Sequence, residues 1–179
     1  LRPAFARTQA DGTFLDVKDV VDLRLNVSTL RAVTTYLRAR DAERFPALIK
    51  MTELVELFPN IEHEIERIIN KYGEVKDTAS PQLAEIRRSI LSAQSSISKT
   101  LNAILKQAQA SGIVEKDASP TIRDGRLVIP VSAMNKRKIQ GIIHDESATG
   151  KTAFVEPTAV VEVNNRLREL ENEERREII

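Results

Sequence analysis

Apolar residues recur at helical spacing along most of the chain and alternate in strand fashion in one stretch only, Thr121 to Pro157. Before that stretch the pattern predicts an extended lead-in over residues 1–13, then a helix beginning after Asp16. Asp16 is an N-cap candidate with Asp19 three residues on. This helix should reach about Arg40 and bury a stripe of Val17, Val20, Leu23, Val27, Leu30, Val33, Tyr36 and Leu37. A second helix is predicted from about Phe45 to Leu57, with Pro46 in its first turn and Pro59 marking its end. A third carries Ile61, Ile65, Ile68 and Ile69 and should close at Gly73. The short connections predict a local bundle from Asp16 to Tyr72.

Ser80 followed by Pro81 supplies an N-cap and an N1 proline for a long helix. Its apolar positions, Leu83, Ile86, Ile90, Ala93, Ile97, Leu101, Ile104 and Ala108, form a coiled-coil seam. At about 1.5 Å per residue the span Pro81 to Ser111 would be roughly 46 Å long, so part of it should project. A returning helix with Val160, Val163, Leu167 and Leu170 should zip antiparallel against it. Between them, Gly112 ends the first helix and Ser119-Pro120 begins extended chain. Asp124-Gly125 is a type I′ hairpin signal. A second strand pair flanks the loop Ser147–Gly150, giving three or four short antiparallel strands whose thin core would hold Leu127, Ile129, Val131, Ile139, Ile142, Phe154 and Val155. The expected fold is therefore mainly α: a helical bundle core and two long antiparallel helices carrying a small antiparallel β-sheet insertion at their tip.

Composition supports extended helix, with 41% hydrophobic, 4% aromatic and 30% charged residues and no Trp. The formal charge of +1, from 27 basic and 26 acidic side chains, excludes a globally basic nucleic-acid glue and leaves room only for a local patch. Without Cys there is no disulfide, thiolate metal site or Cys nucleophile. No run approaches the roughly 18 to 20 apolar residues that span a bilayer, and the first residues lack a signal-peptide core, so the reading is a soluble cytoplasmic chain. It starts at Leu1 and stops within the helical run "ENEERREII", which reads as a piece excised from a longer protein.

The blocks "GEVKDTASPQLAEIRRSI", "TIRDGRLVIPV", "GIIHDESATGKTAFVEP" and "VEVNNRLRELENEERREI" occur in this order, and together they resemble the core, lever and clamp region of the bacterial MutS type-two family, a paralogue of the mismatch-repair protein MutS. The match is strongest from Gly73 to Ile178; the first 70 residues share only the helical pattern. The resemblance implies a helical core over residues 1–80, a rising lever helix over 81–111, a β clamp over 112–157 and a returning, truncated lever helix over 158–179. It also implies a parent with an ATPase domain and a C-terminal nuclease domain, dimerisation, sequence-nonspecific DNA binding, and a role in suppressing recombination or rescuing ribosomes, with the ribosome or RNA as further partners. On this reading ATP and magnesium belong to the absent ATPase domain, and the fragment itself has no cofactor and no catalytic activity. Lys151 departs from the small residue expected at its position.

Several motifs admit a bland and a sharp reading. "TGKT" invites a phosphate-binding loop, but Asp145 occupies the place of the required Gly five residues before Gly150, and the following residues read as strand rather than helix. It is a hairpin loop. Lys136, Arg137 and Lys138 form the densest basic cluster, at the expected turn between strands. They are either a solvated turn or phosphate-backbone contacts, with Lys151 and Arg126 as weaker members of that nucleic-acid-binding set. Position and resemblance favour contact. Seven basic residues face six acidic ones across Ile113 to Pro157, so binding by this piece alone should be weak. His144-Asp145-Glu146 lacks the partners of a metal or catalytic centre, and Asp145 and Ser147 read as loop-shaping residues. The alternative function is a helical assembly or dimerisation module that contacts another subunit or the ribosome without binding DNA.

Overall fold

A computed structural model describes residues 2–40 and 43–179. The chain forms two compact units, one running as far as Ala84 and including Ile178–Ile179, the other Glu85–Glu177.

The first unit holds α1 (Arg2–Arg7), α2 (Val17–Arg38), α3 (Pro46–Glu53) and α4 (Pro59–Ile68). The expected extended lead-in is in part helical, and Arg7 of α1 pairs with Asp19 of α2 at 2.6 Å. Asp16 caps α2 as predicted, its carboxylate accepting the Asp19 N–H at 2.7 Å. The buried face of α2 differs from the predicted one. Leu30, Val33 and Tyr36 are exposed, while Thr34 is buried. Arg24 donates to the Asn70 carbonyl, Arg31 to Glu62 and Arg38 to the Thr52 carbonyl, so a row of arginines and Thr34 faces α3 and α4. Arginine stems can cover apolar surface while their heads find acceptors, and an apolar-periodicity count does not register that. Pro59 opens α4 at its first position as well as ending the preceding run. The third helix stops at Ile68, short of Gly73, because Ile69 bridges to Val75 and Gly73, at φ 83°, makes the turn between them.

α5 (Pro81–Ala110) begins where predicted, with the Leu83 N–H donating to Ser80 Oγ at 3.0 Å. It ends at Gly112, φ 66°, in a Schellman motif: the Ile113 N–H reaches the Ala108 carbonyl and the Gly112 N–H the Gln109 carbonyl. Four strands follow, β1 (Thr121–Arg123), β2 (Arg126–Ser132), β3 (Gly141–Glu146) and β4 (Thr152–Pro157), then α6 (Thr158–Ile178). Asp124 and Gly125 both take positive φ, 50° and 73°, as the predicted hairpin turn between β1 and β2 requires. Strand order is β1-β2-β4-β3, and all neighbours are antiparallel. β2 and β3 therefore run in the same direction with β4 between them. Residues 133–140 are a crossover along the length of the sheet rather than the expected turn.

The predicted architecture of two antiparallel lever helices with a sheet at their tip is corrected here, although six helices among the described residues keep the chain mainly α. Ile129, Val131 and Val155 of the sheet share one core with Ile97, Leu101, Leu105 and Ala108 of α5, Val160 and Leu167 of α6, and Ile139 of the crossover. The sheet thus packs along the flanks of both helices. A four-stranded sheet this small cannot shield its apolar face by itself, and the seam of α5 supplies the missing layer. Seam residues assigned to α6 by periodicity are shared with the sheet.

Candidate functional site

One end of the sheet gathers two loops. β2 ends at Ser132 opposite Thr152, and β3 ends at Glu146 opposite Ala153. The Ala133 N–H donates to the Lys151 carbonyl at 2.8 Å, fastening the turn after β2 to the β3–β4 loop. That loop is closed by the Ser147 N–H on the Thr152 carbonyl at 2.8 Å, the Gly150 N–H on the Ser147 carbonyl at 2.7 Å, and the Thr152 N–H on Ser147 Oγ at 3.1 Å. It leads into β4, so Thr149–Thr152 is a hairpin loop and presents no helix N-terminus to a phosphate.

Lys136 follows the fastened turn after β2, and Lys151 lies in the β3–β4 loop. Lys136 Nζ pairs with Glu146 Oε1 at 2.7 Å, which offsets part of its charge. Arg137, Lys138 and Lys151 are exposed, and none of them forms an ion pair or side-chain hydrogen bond among the described residues. Electrostatically this end offers Lys151 and a partly neutralised Lys136, while the crossover carries Arg137 and Lys138 away along the sheet, Lys138 lining a hollow with Pro157 and Thr158 at the far end of β4.

The structure commits Arg126, the fifth predicted cation, to partners within the chain. It lies in the β1–β2 hairpin, and its Nη1 donates to both oxygens of Glu156, at 2.8 and 3.1 Å, while Nη2 donates to Asn165 Oδ1 at 2.7 Å. Glu156 has no exposed surface, Asn164 Nδ2 donates to it at 2.6 Å, and His144 Nε2 lies 2.5 Å from its second oxygen. Burial works to raise the Glu156 carboxyl; hydrogen bonds from Asn164, His144 and Arg126, with the guanidinium charge, outweigh it and hold the carboxyl below its ordinary value. An ionised carboxylate only accepts, so His144 presents a protonated Nε2 to it. The register shift between Ile143 and Asp145 makes His144 the extra residue of a β-bulge and aims it at Glu156. Three charged or polar side chains, Arg126 of β2, His144 of β3 and Asn164 of α6, thus converge on one strand carboxylate. This is a structural clasp, which spacing rules do not reveal. The only signal in the sequence was a Glu inside the otherwise apolar run "AFVEP".

The other residues singled out do not come together. His63 is exposed on α4, and no group of three or more His, Asp or Glu side chains is placed to hold a metal among the described residues. Asp145 accepts the Glu146 N–H at 2.8 Å and pairs with Arg123 at 3.3 Å, and Arg123 also stacks 4.0 Å from the centre of the Phe154 ring. Asp145 and Ser147 thus shape the loop, as the sequence predicts. No helix among the described residues is long and apolar enough to cross a membrane.

No family model matches the chain. Among curated proteins it is 38% identical over 167 residues to "Endonuclease MutS2" of Symbiobacterium thermophilum, covering 93% of this chain and 21% of that protein. It is 40% identical over 194 residues to the protein of the same name from Thermomicrobium roseum, covering 99% of the chain and 24% of that protein. A third, from Pelotomaculum thermopropionicum, is 36% identical over 172 residues, covering 96% and 22%. The chain spans between a fifth and a quarter of the length of these relatives. Agreement at this level over almost the whole chain means that it belongs to the MutS type-two family and corresponds to one region of its longer members.

Proposed function

We propose that Lys136, Arg137 and Lys138 of the crossover, together with Lys151 of the β3–β4 loop, hold the phosphate backbone of nucleic acid without reading its sequence, as one part of a longer protein whose nucleotide and cleavage chemistry lies in other regions. The observation that carries this reading is the run of exposed cations Arg137 and Lys138 on the crossover, with exposed Lys151 in the loop fastened to its start, none of them in an ion pair or side-chain hydrogen bond among the described residues. The relatives' name, endonuclease, denotes an enzyme class that acts on nucleic acid, which agrees with it. Arg126 is left out of the contact set because its guanidinium is committed to Glu156 and Asn165. Phosphate contacts release counterions, so each one adds about 0.9 to the slope of log affinity against log salt on a duplex. In a fluorescence-anisotropy titration with a short DNA duplex at low salt, the Lys136→Ala, Arg137→Ala, Lys138→Ala triple variant is expected to lose most of its affinity and to show a flatter slope. Equal binding by the variant overturns the reading.

Assembly through the helical unit is a second reading, favoured by a groove of about 700 Å³ lined by Phe5, Leu25, Leu30, Val33, Phe58 and Ile61. Its lining is mostly apolar, as the buried centres of protein contacts are. Sedimentation velocity at several concentrations, run on the same triple variant, separates the two: self-association unchanged by loss of the cations supports assembly.

A further inference from the structure

Met134 is 93% exposed, more than any other large hydrophobic side chain in the unit Glu85–Glu177. Its exposure does not come from a loose loop. It is the middle residue of a 3₁₀ turn, Ala133–Asn135. The Ala133 N–H is held by the Lys151 carbonyl, Asn135 Nδ2 donates to the Ile113 carbonyl at 3.2 Å, and the Asn135 carbonyl accepts the Lys138 N–H at 2.8 Å. Both neighbours of Met134 are therefore tied down while its side chain projects into solvent. The cations described above follow it directly in sequence or hold its turn. Met134 also lines a groove of about 860 Å³ shared with Ser147, Thr149 and Lys151, and with Glu115 and Asp117. Those two carboxylates repel phosphate and leave the Lys151 side as the approach for a charged backbone.

A tied-down apolar knob with Lys151 in its groove and Lys136 and Arg137 just after it in the chain resembles the arrangement that partly unstacks a base step while flanking charges grip the strands. Met is suited to this, being unbranched and polarisable enough to follow an irregular gap. We propose that Met134 is an apolar wedge, inserted between base pairs of a duplex from its minor groove and bending the helix there, with Lys136, Arg137 and Lys151 on the adjoining phosphates. The proposal rests on the nucleic-acid reading of the same cationic turn.

The test uses the 179-residue chain and a DNA duplex carrying 2-aminopurine in its central steps and a donor–acceptor dye pair at its ends. The wild type is expected to raise 2-aminopurine emission and shorten the end-to-end distance. Met134→Ala, at a side chain too exposed to matter for folding, should abolish both signals and weaken binding about tenfold at fixed salt, a loss of roughly 1.4 kcal/mol, with the salt slope unchanged. Met134→Leu should keep them. If Met134→Ala matches wild type in both signals while the triple cation variant still loses affinity, the wedge is overturned and backbone gripping stands. If the wild type binds with no change in either signal, the wedge falls in the same way, Met134 then being a knob for a protein partner. Binding unaffected by the triple variant removes the nucleic-acid reading and the wedge with it.

Discussion

Glu156 shows how a single residue can be fixed by its surroundings. A carboxylate with no exposed surface is tolerated only when donors replace its water, and Arg126, His144 and Asn164 do so. Glu156→Gln keeps the shape, removes the charge and leaves the Arg126 guanidinium without its anion. The expected loss is about 3 kcal/mol in urea unfolding near neutral pH. The pH dependence has a definite sign. Because the folded carboxyl is held below its ordinary value of 4.5, its stabilisation is fully present above that value and is lost as pH falls through the lower, folded one. Unfolding free energy measured from pH 6 down to pH 3 should fall more steeply for the wild type than for Glu156→Gln; parallel curves would show that the clasp contributes nothing. Arg126 is the instructive residue for reading sequences. Its charge and hairpin position made it a candidate phosphate contact, and nothing in its neighbours within the chain pointed to a carboxylate thirty residues on.

At the scale of elements, local signals were read best where the chemistry is local. Asp16, Ser80-Pro81, Gly112 and Asp124-Gly125 each determine a backbone event within a few residues, and each event occurs as read. Gly141 is a different case. It opens β3 opposite Pro157 without a positive φ, so nothing in the sequence marks it. A Cβ placed there would lie 2.1 Å from the Glu156 carbonyl oxygen, which is backbone and cannot move aside. Gly141→Ala should cost about 3 kcal/mol, near the top of the range for forced contacts, and should expose β3 amides to hydrogen exchange before those of β2. Gly150→Ala is the control. With nothing within 4 Å and φ at 66°, it should cost only about 1 kcal/mol of backbone strain. Equal costs for the two substitutions would rule out the close strand approach. The misassigned face of α2 has the same origin as the unmarked Gly141: which side of an element is covered depends on what arrives from elsewhere in the chain.

Over the whole molecule, net charge of +1 gives little long-range attraction for an anionic partner, so any nucleic-acid affinity must come from a few placed cations and should fall quickly with salt. The shared core makes a second statement about the molecule. If the sheet merely decorated two helices, replacing residues 113–157 by a short Gly-Ser linker would leave α5 and α6 helical. Because Ile97, Leu101, Leu105, Val160 and Leu167 bury themselves together with the sheet, the replacement should strip their cover. Far-UV circular dichroism should then show loss of helix beyond the excised residues, with the cooperative urea transition of this unit gone. Retained helicity with a sharp transition would disprove the common core.

The sequence by itself determined where helices and strands begin and turn, that the chain is mainly helical, and which family it belongs to, because caps, glycine turns, periodicity and matched blocks are properties of neighbouring residues. Only the tertiary structure decided that the sheet lies along α5 and α6 rather than beyond them, that the basic run sits on a crossover, and that Arg126 serves Glu156 while Arg137, Lys138 and Lys151 are unpaired among the described residues. Those outcomes depend on which apolar face and which opposite charge meet across long stretches of chain. Burial energy is non-directional, and many pairings of the same stripes satisfy a periodicity; three-dimensional packing selects one.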